Sequence, residues 1–214
     1  MRLRSASKVL LKGLAVFVCF MVIGNVAVYA VSAWARNSTP KAAAIDVLGV
    51  KNFQVVDDRL SRGAAPTPEG YRALAAQGTS TIVDLRAEEG IEDDIAVARD
   101  MGINVVRIPM RDGQAPSRAE VAQFLDVVQS APGKVFVHCG AGVGRTGTMV
   151  GTYLVTSGEA RPSQAVRRNL AVGPPSLEQI AYVAGLGNGP DRPSPAITAI
   201  SRTLDAPRRL FSRL

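Results

Sequence analysis

The sequence predicts an α/β fold in which a central, mainly parallel sheet is flanked by helices and preceded by one transmembrane helix. Short apolar, β-branched runs alternate with helical segments over residues 51–186. This alternation favours a parallel sheet covered on both faces. Near the start, residues 14–35 form an apolar run of 22 residues with only two clearly polar members. A helix of that length matches the thickness of a bilayer core.

The segments around the apolar run predict its orientation. Residues 1–13 carry four Lys or Arg side chains, whereas residues 36–50, the predicted linker, carry two. This asymmetry predicts a cytoplasmic N-terminus, a signal anchor over 14–35 and an extracytoplasmic domain, periplasmic in a Gram-negative bacterium. The alternative is a cleaved signal peptide, because residues 33–35 (Ala-Trp-Ala) fit a small-x-small cleavage site. The domain would then be secreted or periplasmic.

Within 51–186, composition and turn residues predict five strands and six helices. The strands are rich in β-branched and aromatic residues, and the helices begin and end at typical signals. Pro68 opens one helix and Gly78 follows it, while Ser117 and Glu120 form a capping box for another. Strands are predicted over 52–56, 60–63, 81–85, 104–108 and 135–138, and helices over 67–77, 91–101, 117–130, 146–156, 162–170 and 177–186.

The tail over 187–214 is rich in Pro and basic residues. It could lie on an anionic membrane face, but Pro207 interrupts its pattern, so we expect a disordered tail.

Charge and cysteine content exclude several classes of function. The formal charge of +7 divides into +6 for 1–45, −2 for 46–186 and +3 for 187–214, so the domain itself offers no support for nucleic-acid binding. Of the two cysteines, Cys19 lies in the apolar run, which leaves Cys139 alone in the domain. One His and one Cys cannot build the usual zinc sites, and we predict no metal and no cofactor.

Residues 138–147, His-Cys-Gly-Ala-Gly-Val-Gly-Arg-Thr-Gly, carry the strongest chemical signal. They lie between a predicted buried strand and a predicted helix, where unpaired N–H groups and the helix dipole favour an anion. The small residues 140–144 would let those N–H groups converge on a phosphate. Arg145 adds a planar donor pair. In this positive field we expect Cys139 to be a thiolate nucleophile.

Other interpretations of the loop are weaker. Residues 142–147 match G-x-G-x-x-G, the dinucleotide fingerprint, but no second strand with a terminal acid follows about 20 residues later. A Walker A loop would require Lys before Thr146. An ordinary Gly-rich turn would not explain why Cys139, Arg145 and Thr146 occur at this spacing.

The loop resembles the signature of the protein tyrosine phosphatase superfamily, His-Cys, five residues, Arg and then Ser or Thr. The order of elements and residues 52–66 and 83–86 are similar to the compact, atypical dual-specificity branch of bacteria, fungi and plants. The resemblance covers roughly residues 50–185. It implies that Cys139 becomes phosphocysteine, that Arg145 and residues 140–144 bind the phosphoryl group, and that Thr146 stabilises the departing thiolate. It places His138 behind the loop.

A phosphate ester also needs a general acid. Asp112 follows a predicted strand on a Gly/Pro loop that leaves the same sheet edge as the Cys139 loop. The family places its acid on the corresponding loop, in wording similar to Pro-x-x-Asp-Gly before Pro. Here Gln114 and Ala115 intervene before the Pro. We therefore predict Asp112 as the acid, with a plain Asp-Gly turn as the alternative.

Three further side chains could serve the site. Arg86 and Arg111 could contact substrate, although a surface ion pair or a charge at the rim would explain them equally well. Gln179 could position water, but its helical setting favours packing.

The resemblance implies a phosphatase acting on a phosphorylated protein or lipid. In the superfamily that the loop resembles, loops that favour inositol phosphates or phosphoinositides often carry Lys between Cys and Arg. Residues 140–144 contain no Lys, which favours a phosphoprotein, whereas an extracytoplasmic location favours lipid phosphates. A non-catalytic phosphate-binding module and a sulfurtransferase remain alternatives.

Overall fold

The computed structural model describes residues 2–39, 47–187 and 192–206. Five strands and eight helices follow one another along these residues. The strands are β1 Gln54–Val55, β2 Leu60–Ala64, β3 Thr79–Arg86, β4 Asn104–Met110 and β5 Lys134–Cys139. The helices are α1 Arg2–Ser38, α2 Pro68–Ala76, α3 Glu92–Asp100, α4 Arg118–Ser130, α5 Gly144–Thr156, α6 Pro162–Val172, α7 Leu177–Gly185 and α8 Pro195–Leu204.

The strands form one sheet in the order β1-β2-β5-β3-β4. Only β1 is antiparallel to its neighbour, so the mainly parallel sheet predicted from the sequence is confirmed. Strand β5 lies at the centre between β2 and β3. The carboxyl ends of β3, β4 and β5 therefore lie at one edge, which is the edge where open α/β sheets bind ligands.

The side chains of β5 alternate between the two faces of the sheet, as the period of a strand requires. Val135, Val137 and Cys139 belong to a core formed with α4, α5, α6 and α7. Phe136 belongs to a second core beneath α2 and α3. Because both faces are covered, the strand is apolar throughout its middle, and its last residue, Cys139, is buried.

The predicted helix signals are present in the structure. The hydroxyl of Thr67 accepts a hydrogen bond from Gly70 N–H and Pro68 lies in the first turn of α2. Ser117 and Glu120 form the predicted capping box of α4. Helix α5 begins at Gly144, two residues before the predicted start, which shortens the preceding loop.

The long N-terminal helix differs from a simple anchor joined to a linker. Leu11–Ser38 is long and apolar enough to cross a membrane, a property that signal sequences and buried core helices share. Its last turns pack on the domain: Ser32 Oγ donates to Leu170 O at 2.7 Å, and Ala35 is fully buried. The predicted span over 14–35 therefore includes residues that contact the domain.

The two ends of the predicted linker over 36–50 belong to the folded structure. Helix α1 continues to Ser38, and Val47 and Val50 are buried in the core beneath α2 and α3. The rest of the linker, residues 40–46, lies outside the described residues.

The tail was expected to be disordered, and this is wrong for its middle. Residues 195–204 form α8, which starts at a Ser194 cap with Pro195 in its first turn and packs against α7 and α1. Buried Leu204 and Ser201 hold it in place. Residues 188–191 and 207–214 lie outside the described part of the chain.

Candidate active site

The candidate site is the loop between β5 and α5. Cys139 ends β5 and is 3 % exposed. Three consecutive carbonyl groups of the loop accept hydrogen bonds from outside it. The pairs are Ala65 N–H with Gly140 O at 3.0 Å, Asn52 Nδ2 with Ala141 O at 2.9 Å and Arg62 Nη2 with Gly142 O at 2.7 Å.

This arrangement orients the donors of the loop. In a trans peptide the C=O and the following N–H point in opposite directions. The N–H groups of residues 141–143 therefore point away from the partners that bind the carbonyls. Helix α5 follows at once, and no side chain caps its start at Val143. Its first N–H groups add to the positive field, as expected for an anion site.

The glycines of the loop are explained by packing. Gly142 has φ +72°, and a Cβ there would collide with the backbone of Gly63 on β2. At Gly144 a Cβ would meet Gln179 Oε1 at 2.7 Å, and at Gly147 it would overlap the side chain of Asn169. The G-x-G-x-x-G spacing thus reflects close approach of β2, α6 and α7, and a dinucleotide is not needed to explain it.

Arg145 is 4 % exposed and is held in one orientation. Its Nη1 and Nη2 donate to the two carboxylate oxygens of Glu88 at 2.7 and 2.8 Å, and Nη1 also donates to Met110 O at 3.2 Å. Burial alone would lower the pKa of Arg145, but the bonds to Glu88 and the charges of Cys139 and Asp112 raise it. The side chain is therefore a fixed cation beside the thiol.

The same interaction affects Glu88. Burial would raise the pKa of this carboxyl, but the hydrogen bonds from Arg145 hold the pKa below its usual value. The Nε atom of Arg145 is buried and forms no hydrogen bond with any described residue. Nε is thus a donor of the guanidinium that remains free to bind an anion, whereas Nη1 and Nη2 are bound to Glu88.

Asp112 lies where the sequence placed it, two residues after β4. Its Oδ1 is 3.4 Å from Arg145 Nε, and its side chain is 52 % exposed. The structure thus brings together Cys139, Arg145 and Asp112, which come from two loops at the same edge of the sheet.

Two buried polar side chains, His138 and Thr146, stand next to the ends of the loop in the sequence. Thr146 is fully buried, and its hydroxyl has no hydrogen-bond partner among the described residues. His138 is 1 % exposed, and its Nδ1 lies 3.1 Å from Cys139 O. Burial lowers the pKa of His138, while the charge of Asp84, 3.9 Å from Nε2, opposes that shift. His138 therefore contacts the backbone of the loop, and its supporting role stays a prediction.

The prediction that Arg86 contacts substrate is not supported by the structure. Its guanidinium donates to both oxygens of Asp84 at 2.8–3.1 Å and to Asp94 at 2.8 Å. These bonds raise the pKa of Arg86 despite the opposing effect of burial. Alternate residues of a strand share a face, which is why Asp84 and Arg86 pair. Arg111, in contrast, is exposed next to Asp112.

Gln179 is 1 % exposed and joins the two loops. Its Nε2 donates to Gln114 O at 3.4 Å, its Oε1 accepts from Ser176 N–H at 3.1 Å, and the side chain lies against Gly144. This is the packing role that its helical setting favours.

The sequence did not reveal the roles of Arg62 and Glu88. Arg62 is 3 % exposed, and burial lowers its pKa to about 10 while the charge of Cys139 opposes the shift. Its position in the middle of a strand was a signal, because charged residues are rarely buried without a partner. Among the described residues, no group of three His, Cys, Asp or Glu side chains is placed to hold a metal ion.

A family model described as "DSP-PTPase phosphatase fused to NAD+ Kinase" matches residues 40–185. The chain belongs to this family. The resemblance to compact dual-specificity phosphatases drawn from the sequence is thereby confirmed.

The curated relatives share parts of the chain. The probable NAD kinase 2 of Oryza sativa subsp. japonica is 37 % identical over 114 residues, which cover 46 % of this chain and 12 % of that protein. Dual specificity protein phosphatase CDC14B of Mus musculus is 48 % identical over 44 residues, 21 % of this chain and 9 % of that protein. The chain thus covers about a tenth of the length of these two relatives.

Solved structures share the fold. TpbA of P. aeruginosa, crystallised with phosphotyrosine, has a TM-score of 0.57 at 21 % identity, covering 78 % of this chain and 97 % of that one. A kinase associated phosphatase has a TM-score of 0.54 at 15 % identity and covers 65 % of this chain and 94 % of its own. Both support a phosphatase-type sheet flanked by helices.

Proposed function

We propose that this chain is a metal-free phosphatase that hydrolyses phosphate monoesters through a phosphocysteine intermediate. The observation that carries the proposal is that Cys139, Arg145 and Asp112 meet at a loop in which the carbonyls of residues 140–142 bond to groups outside the loop. A thiol, a fixed cation and a carboxyl are the groups that the reaction requires.

In the proposed first step, the Cys139 thiolate attacks phosphorus and the bond to the ester oxygen breaks. Protonated Asp112 gives its proton to that leaving oxygen. The loop N–H groups and Arg145 stabilise the equatorial phosphoryl oxygens. Glu88 holds Arg145 by its two Nη atoms and leaves Nε facing Asp112 and the site.

In the second step, the Asp112 carboxylate takes a proton from water, the water oxygen attacks phosphorus, and the bond to Cys139 sulfur breaks. Free phosphate leaves and Asp112 is again protonated. The buried Thr146 hydroxyl, which has no described partner, is our candidate to donate to the departing thiolate.

The substrate we propose is a phosphorylated protein, tyrosine or dual specificity. The absence of Lys from residues 140–144 supports this choice, as does family membership. A lipid or inositol phosphate is the second candidate, and the apolar α1, which would hold the site near a bilayer, favours the lipid.

Replacement of Cys139 by Ser tests the chemistry. We expect Cys139→Ser to abolish turnover of p-nitrophenyl phosphate while phosphate binding is kept. Rapid quench of the wild-type enzyme should show a burst from phosphoenzyme formation. Turnover retained by the variant would refute the mechanism, and binding without any turnover by the wild type would identify a phosphate-binding module instead. Thiosulfate turnover would identify a sulfurtransferase.

A panel of phosphotyrosine and phosphoserine peptides, a phosphatidylglycerol phosphate and inositol phosphates then identifies the substrate.

We further propose that α1 anchors the chain in a membrane, with the domain outside the cytoplasm. The basic residues before the apolar run support this orientation. Ser32 and Ala35 are buried on the domain, and Gly24 and Asn25 contact Leu204 of α8. A span over residues 14–35 therefore requires these contacts with the domain to open, because the 13 residues before them, Leu11 to Ile23, would cover only about 20 Å. Cleavage after Ala35 would remove the buried part of α1, which favours an uncleaved anchor. The mass of the mature protein decides between the two.

A further inference from the structure

The loop that carries Asp112 is tied to the first turn of α7. Three successive residues after Asp112 each form a hydrogen bond to that turn. The bonds are Ser176 Oγ to Gly113 O at 2.7 Å, Gln179 Nε2 to Gln114 O at 3.4 Å and Ala115 N–H to Glu178 Oε1 at 3.1 Å. The position of the half-exposed Asp112 carboxyl therefore depends on α7.

Glu178 is in turn held by α8. Its N–H, one of the donors that a helix start leaves without an internal partner, donates to Ser201 Oγ at 3.0 Å. Ser201 is fully buried and its hydroxyl donates to Asp205 Oδ2 at 3.2 Å. Arg202 Nε lies 3.5 Å from Glu178 Oε2. Helix α8 thus fixes both the backbone and the carboxylate of the residue that binds Ala115.

The far side of α8 rests on α1. Asn25 Nδ2 lies 3.4 Å from Leu204 O, and the Leu204 side chain fills the space above Gly24. In contrast, Ile197 and Ile200 are 38 % and 44 % exposed. The contacts of α8 with α7 and α1 therefore determine its position.

We propose that α8 positions the Asp112 loop through Ser201 and Glu178. Neither Ser201 nor the rest of α8 belongs to residues 40–185, which match the family model. Ser201 and Glu178 are positioning residues and act only through the loop. This inference rests on the proposed function, because it assumes that Asp112 protonates the leaving group. A general acid must be within hydrogen-bond reach of that oxygen, and a displacement near 1 Å is costly.

The test compares two aryl phosphates in the full-length chain. The phenolate that leaves phenyl phosphate is basic and needs the proton, whereas p-nitrophenolate hardly needs it. We expect Ser201→Ala and Glu178→Ala to lower kcat/KM for phenyl phosphate about tenfold, because kcat/KM reports the first step, in which the ester oxygen leaves. We expect kcat/KM for p-nitrophenyl phosphate to fall less than about threefold, and the inhibition constant of inorganic phosphate to change less than about twofold, because the phosphate loop is untouched.

Two further variants separate positioning from general damage. Glu178→Gln keeps an acceptor for Ala115 N–H and should retain most of the wild-type rate on phenyl phosphate. Thr203→Ala removes a hydroxyl that bonds only within α8, to Ala199 O, and should change neither substrate. If Ser201→Ala does not fold, as judged by circular dichroism, the comparison of Glu178→Ala with Glu178→Gln decides.

Failure of this inference differs from failure of the proposed function. Equal losses on both esters, or no loss on either, would overturn the role of α8 if Asp112→Asn still shows the selective loss on phenyl phosphate. A wild-type chain that hydrolyses neither ester, or an Asp112→Asn variant without selectivity, would instead overturn the function on which the inference rests.

Discussion

The two loops of the site are held in different ways. The phosphate loop is embedded in the sheet: Cys139 and Arg145 are 3 % and 4 % exposed, and its carbonyls bond to β2 and its flanking segments. The Asp112 loop lies at the surface and is held by α7 and, through it, by α8. Binding of phosphate is therefore a property of the core, whereas delivery of the proton depends on peripheral helices. Substitutions in the phosphate loop should therefore weaken the reaction of every ester, whereas substitutions in the Asp112 loop should affect mainly esters whose leaving group needs a proton.

The largest effect should come from Arg145→Lys. Lysine cannot form the two parallel bonds to Glu88 or present a planar donor to phosphate. We expect kcat to fall by about 10³ for p-nitrophenyl phosphate and phenyl phosphate alike, because phosphate stabilisation is lost for every ester. Steady-state rates on both esters measure this. Arg111→Lys, at an exposed position, is the matched control and should cost less than about threefold. A loss confined to one ester would contradict the assignment.

Asp112→Asn should separate the two loops most clearly. The variant keeps the shape of the side chain but cannot supply a proton. We expect kcat/KM to fall by about 10² or more on phenyl phosphate and by much less on p-nitrophenyl phosphate. A plot of log kcat/KM against the basicity of the leaving group should become steeper than for the wild type. Parallel plots would assign the acid to another residue.

Arg62→Met tests whether the phosphate loop is held from the core. The change removes the donor to Gly142 O, and a buried carbonyl without a donor costs about 1–3 kcal/mol. We expect lower stability to denaturant together with weaker inhibition by inorganic phosphate. Arg59→Met is the control, since Arg59 Nη2 binds the carbonyl of Ala131, at the end of α4, at 2.9 Å. It should lose stability and keep phosphate affinity. Unchanged inhibition by phosphate in Arg62→Met would show that the bond to Gly142 O stabilises the fold but does not shape the phosphate site.

The smallest expected effect is on the pH dependence of folding stability. Burial holds the pKa of His138 below 6.5, so the unfolded chain binds this proton more readily than the folded one. The stability it contributes is complete above about pH 6.5 and is lost as pH falls through the folded pKa, by at most about 1.4 kcal/mol per pH unit. His138→Asn should flatten this slope. Thermal midpoints between pH 5 and 7 measure it, and an unchanged slope would show that other groups cause it.

The acidic residues of the site belong to a lower pH range. Their hydrogen bonds to arginine hold the pKa values of Asp84 and Glu88 below their usual values although burial opposes this. Their contribution to stability is present above about pH 4 and is lost only as pH falls further. The slope between pH 5 and 7 therefore reports on His138, the one histidine of the chain.

The sequence alone determined the phosphate loop and its setting. Cys139, the small residues and Arg145 are contiguous, and the strand before them and the helix after them are set by local periodicity and turn residues. Because the carboxyl ends of parallel strands lie at the same edge of a sheet, the sequence also predicts that Asp112 lies near Cys139. These conclusions need no knowledge of how distant segments pack.

Only the tertiary structure decided which charged groups serve the site. Arg86 binds Asp84 because the two residues share a strand face. Glu88 accepts hydrogen bonds from both Nη atoms of Arg145, which lies 57 residues away in the sequence. Arg62 approaches Gly142 across the β2–β5 pairing, 80 residues apart. Ser201 reaches Glu178 from a tail whose composition favoured disorder. Such contacts depend on strand register and on helix packing, and no local pattern encodes either.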